Sequence, residues 1–234
     1  AKYDLKLVGI NQHIGSLFMD GKPYVEGVKA ILNIAKQFDD LEFVDLGGGF
    51  GIPYEKLNDQ PRLDMVELGK QLDEVFEQFV KDYGKEITFK IEPGRYVSAE
   101  CGVLLGTVTA VKHNGEDKYI GTDIGFNVLQ RPVMYDSHHD IEVYNDSDNT
   151  EDVTVVGNIC ESGDILAKHR ICPEMHVGDT MAMLDAGAYG YCMASNYNNR
   201  LRPAEVLIRE NGEAVLVRER DELEDLTRHM KSIK

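Results

Sequence analysis

The sequence predicts two architectures in one chain, an α/β part in residues 1–97 and an all-β part in residues 98–234. Short apolar strands alternate with amphipathic helices as far as I-E-P-G-R, residues 91–95, and this alternation is typical of strand–helix units around a parallel sheet. Beyond that motif, β-branched segments and two Asn-Gly turn signals follow, and only one helical pattern is found, at the end of the chain. We therefore expect two domains that meet near residue 97.

The composition excludes several classes of protein. With 42% hydrophobic and 28% charged residues, the 234-residue chain has the balance of an ordinary globular protein. Its net charge of −16 argues against nucleic acid and anionic membrane as partners, because both require clustered lysine and arginine. No apolar run reaches the roughly 18 residues that span a bilayer. The four cysteines are far apart and form no C-x-x-C pair, which favours reduced thiols and a cytoplasmic location.

Three strands and two helices are predicted in the first part. The strands are residues 5–10, 41–46 and 87–91. The first helix begins within residues 20–23, and the second begins at Pro61 and ends at Gly84. Apolar residues recur at helical spacing on both helices, which predicts one buried face on each. Strands joined by such helices are expected to run parallel.

A polar or glycine-rich motif follows each of these strands, at residues 13–16, 47–52 and 92–95. In open parallel sheets and in (β/α)8 barrels, ligands bind at the carboxyl ends of the strands. Taken singly, the glycine run could be a tight connection, His13 a structural histidine and Arg95 part of a surface ion pair. Together they favour a phosphate-bearing ligand, because glycines let backbone N–H groups approach phosphate oxygens. The spacing matches neither the dinucleotide fingerprint nor the P-loop.

The second part is predicted to be a β domain. Asn114-Gly115 and Asn211-Gly212 are hairpin signals. Residues 145–152 are expected to form a solvated polar loop, and residues 221–230 a terminal helix. The predicted strands are residues 103–111, 118–123, 141–144, 153–156, 180–184, 205–208 and 214–217.

Cys160 is the side chain of the second part that most suggests chemistry. A lone cysteine is often a small buried hydrophobe, but the polar residues 161–164 that follow it disfavour that interpretation. His138-His139 lies beside Asp140, yet no second ligand pair has matching spacing, so no metal site is expected.

Six motifs combine into a pattern: H-I-G-S (13–16), G-G-G-F-G-I (47–52), E-P-G-R (92–95), R-P-x-x-Y (131–135), C-E-S-G-D (160–164) and S-N-Y-N (195–198). In this order and at these intervals, they resemble the diaminopimelate decarboxylases. That family belongs to the alanine-racemase-like, fold-type III group of pyridoxal-phosphate enzymes. The resemblance covers nearly the whole chain and is specific as a set. It implies that residues 1–97 are the C-terminal part of a cofactor-binding (β/α)8 barrel and that residues 98–234 form a β-barrel or β-sandwich domain.

The resemblance implies a pyridoxal 5′-phosphate site in the first part. His13, which would count among the catalytic residues, would stack on the pyridine ring, and Ser16 would lie near the phosphate. Glu92 would pair with the pyridine nitrogen and keep it protonated, so that the ring withdraws electrons. Arg95 would lie close to the phosphate and to a substrate carboxylate. Tyr197 would contact cofactor and substrate. The remaining implied cofactor-binding residues are Gly47, Gly48, Gly49 and Gly94.

The implied reaction is decarboxylation of meso-2,6-diaminopimelate to L-lysine, in lysine biosynthesis. Cys160 would return a proton to the α-carbon after carbon dioxide leaves. Glu161 would recognise the distal ammonium of the substrate, and Arg131 and Tyr135 would bind its distal end. In the family, the residues matching Cys160 and Glu161 serve the site of the other subunit, so the resemblance also implies a homodimer.

The sequence departs from the family at the lysine that holds the cofactor as a Schiff base. That lysine should precede His13 by most of the length of a barrel, and only twelve residues precede it here. Because the chain also starts with Ala1, we expect it to be the C-terminal portion of the enzyme and inactive alone. Two alternatives stay open. One is an ornithine- or arginine-type decarboxylase, although those enzymes have a Cys-Asp pair where this chain has Cys160-Glu161. The other is a non-catalytic ligand-binding or dimerisation module.

Overall fold

The chain divides into two units, one ending at Glu100 and the other beginning at Cys101. The structure is a computed structural model that describes residues 3–231.

A parallel three-stranded sheet organises the first unit. Its strands lie side by side in chain order, and Val44 of the middle strand is opposite Ile10 on one side and Phe89 on the other. The parallel arrangement predicted from the alternation of strands and helices is thus confirmed. The elements of this unit are β1 (Gly9–Asn11), α1 (Lys22–Ala35), β2 (Phe43–Asp45), α2 (Met65–Tyr83), β3 (Thr88–Lys90) and α3 (Gly94–Ser98).

Local chemistry sets the ends of α2. The Asp64 carboxylate accepts the backbone N–H groups of Val66 (3.0 Å) and Glu67 (2.9 Å), which is a regular N-cap. Gly84 ends the helix in the left-handed region, as expected, with φ +78°. The prediction that α2 begins at Pro61 is wrong by four residues, because the capping carboxylate lies at Asp64.

The first strand is also shorter than predicted. Pairing begins at Gly9, opposite Phe43, and the predicted strand residues Leu5 and Leu7 are exposed. The limit is set by β2, which offers only three residues for pairing on either side.

Apolar faces of the two long helices form the core of the first unit against the sheet. Tyr24, Val28 and Ala35 of α1 are fully buried, and Phe76 and Phe79 of α2 contact Phe89 of β3. Other buried members of this core are Val25, Ile31, Leu32, Leu41, Val44, Leu46, Phe50, Leu63 and Leu68.

A curled six-stranded sheet dominates the second unit. The strand order is β6-β9-β4-β5-β7-β8, and the two outer strands contact each other, so the sheet is nearly closed. All neighbours are antiparallel except β5 and β7. The elements are β4 (Leu104–Asn114), β5 (Asp117–Thr122), α4 (Arg131–Tyr135), β6 (Ile141–Tyr144), β7 (Thr150–Val156), β8 (Ile165–Pro173), β9 (Thr180–Met183), β10 (Glu205–Ile208), β11 (Ala214–Arg218) and α5 (Leu223–Thr227).

Both Asn-Gly hairpins are confirmed, since β4 pairs with β5 and β10 with β11 in antiparallel register. Three predictions are corrected. β7 begins at Thr150, inside the expected polar loop, and α5 is shorter than residues 221–230. The strand β8 was not predicted from the sequence, because Lys168, His169 and Arg170 interrupt its apolar pattern.

The core of the second unit fills the curled sheet. Ile120, Leu129, Val155, Met181 and Met183 are fully buried there. Among residues 3–231, no helix combines the length and the apolarity needed to cross a bilayer.

Candidate active site

The first group of candidate residues lies where the three parallel strands end. Backbone hydrogen bonds tie these ends together: the N–H of Gln12 donates to Asp45 O (3.0 Å), and the N–H of Glu92 donates to Gly47 O (3.0 Å). The segments after β1, β2 and β3 therefore meet at one edge of the sheet, as the sequence predicted.

The glycine turn after β2 fits closely against both neighbouring strand ends. Gly47 has φ +70°, and a Cβ on Gly48 would lie 2.1 Å from the carbonyl oxygen of Glu92. The N–H of Gly47 donates to the Asp45 carboxylate (3.0 Å), and the N–H of Gly48 donates to Nδ1 of His13 (3.3 Å). Two of the three expected phosphate donors are thus bound within the protein, and the exposed His13 ring is held against the turn. The role of the glycines in phosphate binding stays a prediction.

The Arg95 guanidinium donates hydrogen bonds to two hydroxyl groups. Its Nη1 donates to the Tyr54 hydroxyl (2.8 Å), and its Nη2 donates to Oγ of Ser16 (3.0 Å). Gly94, just before it, begins α3 and donates its N–H to Glu92 O (2.9 Å). A half-buried guanidinium flanked by two hydroxyl groups is suited to binding a doubly charged anion. Tyr54 was missed by the sequence analysis, because no motif spacing marks it.

Tyr24 contacts the glycine turn and was also not predicted as a site residue. Its side chain is fully buried, and its hydroxyl donates to Gly47 O (3.3 Å). Burial, with the nearby Asp45 and Glu92 carboxylates, raises the pKa of Tyr24 to about 12, so the hydroxyl stays protonated. In the sequence, Tyr24 is one more aromatic residue of an amphipathic helix, and no signal could have singled it out.

The second group of candidate residues lies in the loop of residues 157–164. The buried Asp164 carboxylate accepts the N–H groups of Phe126 (2.7 Å) and Ile159 (2.9 Å) and so fixes the base of this loop. Burial raises the pKa of Asp164, against the effect of these two hydrogen bonds. Cys160 and Glu161 at the tip of the loop are exposed, which excludes a buried structural thiol at Cys160.

Glu161 is oriented by its neighbours. The Tyr197 hydroxyl donates to its Oε2 (3.3 Å), and the N–H of Gly163 donates to its Oε1 (3.3 Å). The hydrogen bond to Glu161 raises the pKa of Tyr197. Tyr197 also contacts Phe126, with ring centroids 5.1 Å apart. The structure therefore brings together three predicted residues of the second part, Cys160, Glu161 and Tyr197.

Arg131 and Tyr135 lie at the two ends of the short helix α4 and differ in exposure. Tyr135 is 61% exposed, whereas Arg131 is only 3% exposed. The Arg131 guanidinium contacts Nε2 of His139 (2.8 Å) and Oγ of Ser137 (3.3 Å). From the sequence, His139 was considered only as a metal ligand, so this contact was not predicted. Within the described residues, no group of three or more His, Cys, Asp or Glu side chains is placed to hold a metal ion.

Comparison with known proteins defines the class. The family model for the pyridoxal-dependent decarboxylases, C-terminal sheet domain, matches residues 11–187. The chain belongs to this family.

Its relatives point to one branch of the family. The diaminopimelate decarboxylase of Methanothermobacter thermautotrophicus is 41% identical over 229 residues, which cover 94% of this chain and 53% of the relative. That of Archaeoglobus fulgidus is 43% identical over 208 residues, which cover 86% of this chain and 48% of the relative. The crystal structure of diaminopimelate decarboxylase from M. jannaschii in complex with L-lysine matches with a TM-score of 0.90 and 34% identity, covering 96% of this chain and 52% of that one.

These matches confirm the resemblance carried by the six motifs. The chain spans about half the length of the relatives that it matches.

Proposed function

We propose that this chain provides the phosphate-binding side and the proton-donor loop of a pyridoxal-phosphate-dependent decarboxylase that converts meso-2,6-diaminopimelate to L-lysine. The observation that carries the proposal is the oriented Glu161 carboxylate beside the exposed Cys160 thiol. A fixed acid next to a thiol suits a substrate whose distal end carries an ammonium group and whose α-carbon needs a proton.

The residues at the edge of the parallel sheet fit pyridoxal phosphate. Arg95 and the hydroxyl groups of Ser16 and Tyr54 form a donor set for its phosphate. The Glu92 carboxylate is an acceptor for its protonated pyridine nitrogen, and the His13 ring rests against the glycine turn, where it could cover a flat ring. When bound, the cofactor supplies the electron sink that takes up the electron pair released as carbon dioxide leaves.

The residues of the second unit then act on the substrate. Cys160 donates a proton to the α-carbon, and Glu161 binds the distal ammonium in an orientation fixed by Tyr197. Arg131 and Tyr135 bind the distal end, where the Arg131 guanidinium matches a carboxylate. Diaminopimelate has an amino-acid group at each end, so its far end requires both a cation and an anion partner.

The assembly forms part of the proposal. The three parallel strands would be closing strands of a (β/α)8 barrel, which accounts for motifs at the carboxyl end of each one. A homodimer is supported by exposed apolar side chains near the Cys160 loop, with Met134 at 55% and Tyr135 at 61%. All four cysteines are free thiols, which supports a cytoplasmic location.

Titration of the isotope-labelled chain with pyridoxal phosphate, followed by NMR, tests the cofactor half of the proposal. We expect shifts in the amide signals of the glycine turn and of Ser16. An Arg95→Ala variant should bind about tenfold or more weakly, because charge-assisted hydrogen bonds are lost. Arg209→Ala, which removes an exposed ion pair with Glu213 in the second unit, is the matched control. Equal affinity of the Arg95→Ala variant and the control would contradict the phosphate assignment.

A second titration tests the substrate half. Meso-diaminopimelate should shift the signals of Cys160 and Glu161, and a Glu161→Gln variant should weaken this binding by about tenfold. L-ornithine serves as the comparison ligand. Preference for ornithine over diaminopimelate would refute the assigned substrate, and lysine formation measured with cofactor present reports whether this chain turns over at all.

A further inference from the structure

The buried contact between Arg131 and His139 connects a proposed substrate residue to a side chain without an assigned role. The Arg131 guanidinium lies at the start of α4, and its Nη1 is 2.8 Å from Nε2 of His139. His139 is 1% exposed. Its Nδ1 lies 2.6 Å from the carbonyl oxygen of Leu184, just after β9.

These two contacts determine the hydrogen-bonding roles of the imidazole. A carbonyl oxygen only accepts, so Nδ1 of His139 must carry a proton and donate to Leu184. A guanidinium only donates, so Nε2 must offer its lone pair to Arg131. Both requirements are met by one neutral tautomer, in which the ring links the end of β9 to the guanidinium.

The surroundings keep His139 in this neutral form. Burial lowers the pKa of His139 to about 4, and the positive charges of Arg131 and Arg170 act in the same direction, as does His138. The hydrogen bond to Leu184 opposes them. Arg170 also donates from Nη1 to the carbonyl oxygen of His139 (2.8 Å), which fixes the backbone at this point.

The position of α4 links this contact to the Cys160 loop. The helix carries Arg131 at its first residue and packs against β8. Val133, in the same helix, has its Cγ1 only 3.8 Å from where a Cβ on Gly163 would lie. A guanidinium held at the start of α4 is therefore held relative to the loop that presents Cys160 and Glu161.

We propose that His139 is a positioning residue, which orients the Arg131 guanidinium for the distal carboxylate of the substrate by anchoring it to the carbonyl group of Leu184. The assignment rests on the proposed function, because it takes Arg131 as a substrate-binding residue. It goes beyond that function by naming the group that sets the direction of the guanidinium.

Two substitutions separate the two hydrogen bonds of the ring. His139→Gln places an acceptor near the position of Nε2 and should preserve the contact with Arg131. His139→Asn places a donor near the position of Nδ1 and should preserve the contact with Leu184 alone. Should the Asn variant not fold, Ser137→Ala removes the hydrogen bond from the guanidinium to Oγ of Ser137 and should cause a smaller change in the same direction.

Two readouts are compared in wild type and in both variants. The first is NMR of the Arg131 side chain, whose N–H groups should exchange about tenfold faster with water in the Asn variant but not in the Gln variant. The second is the ratio of the dissociation constants for cadaverine and L-lysine, because L-lysine keeps the distal carboxylate of the substrate and cadaverine has none. This ratio should fall about tenfold in the Asn variant and be retained in the Gln variant.

The two readouts distinguish a failure of the proposed role of Arg131 from a failure of the positioning role of His139. A wild-type chain without preference for L-lysine over cadaverine would overturn the proposed role of Arg131, and with it the functional part of this inference. A wild type with that preference, but with Asn and Gln variants that behave alike in both readouts, would overturn the positioning role of His139 while leaving the proposed function intact. Rescue by Gln alone would support it, since a merely structural role would not separate the two variants.

Discussion

Acid should destabilise the second unit through His139, because the folded protein holds this side chain neutral. Its pKa is lowered from 6.5 to about 4 by burial, so between these values the unfolded chain binds more protons than the folded one. The stability provided by the neutral ring is therefore complete above 6.5 and is lost as pH falls towards 4. At about 1.4 kcal/mol for each pKa unit, lowering the pH from about 7.5 to about 5 should cost about 2 kcal/mol.

Replacing His139 by Gln isolates this contribution, since the variant keeps an acceptor for Arg131 but has no proton to gain. Urea unfolding of both proteins is measured by far-UV circular dichroism and by hydrogen exchange of the β8 and β9 amides, which report on the second unit. Between about pH 7.5 and about pH 5, the free energy of unfolding of the wild type should fall by about 2 kcal/mol more than that of the variant. Other histidines and carboxylates titrate in both proteins and cancel in this difference. Parallel pH profiles would show that the imidazole of His139 is not held neutral in the folded state, and would refute the reasoning.

Three further predictions concern the first unit. Gly48→Ala should destabilise it by about 1–3 kcal/mol, because the new Cβ would meet the carbonyl oxygen of Glu92. The control is Gly69→Ala on the open side of α2, which should stabilise the unit by about 0.5–1 kcal/mol. Urea unfolding measures both, and a Gly48→Ala variant as stable as wild type would argue against the close approach. Asp64→Ala should cost about 1 kcal/mol by removing the cap of α2, with Asp64→Asn as a control that keeps an acceptor and most of the stability. Tyr24→Phe should cost about 1 kcal/mol by removing the buried donor to Gly47; an unchanged melting temperature would mean that this hydrogen bond contributes nothing net.

The sequence predicted the elements whose signals are local. The Asn-Gly pairs predicted both hairpins, because each turn places its glycine at positive φ, +64° at Gly115 and +82° at Gly212. The apolar periodicity of α1 and α2 predicted which faces they bury. The strand β8 was not predicted, because charged side chains interrupt its apolar pattern. These side chains do not prevent the backbone hydrogen bonds that pair it with β7.

The candidate site was likewise predictable only in part. The six motifs led to the family, and the positions after the three strands predicted that His13, Gly48 and Glu92 would meet at one edge. The partners that hold the predicted residues were not predictable. Tyr54 reaches Arg95 from 41 positions away, and nothing in a single sequence marks such a pair.

By itself, the sequence determined the alternation of elements, the turns and the motif set that identifies a pyridoxal-dependent decarboxylase, because each depends on residues close together in the chain or on their order. Only the tertiary structure decided which side chains are buried and which polar groups contact each other. It buried Arg131 beside His139, exposed Cys160 at a loop tip anchored by Asp164, and tied the glycine turn to its neighbours before any ligand binds. The physical reason is that the free energy of a polar group depends on which distant groups surround it, and folding alone brings those groups together.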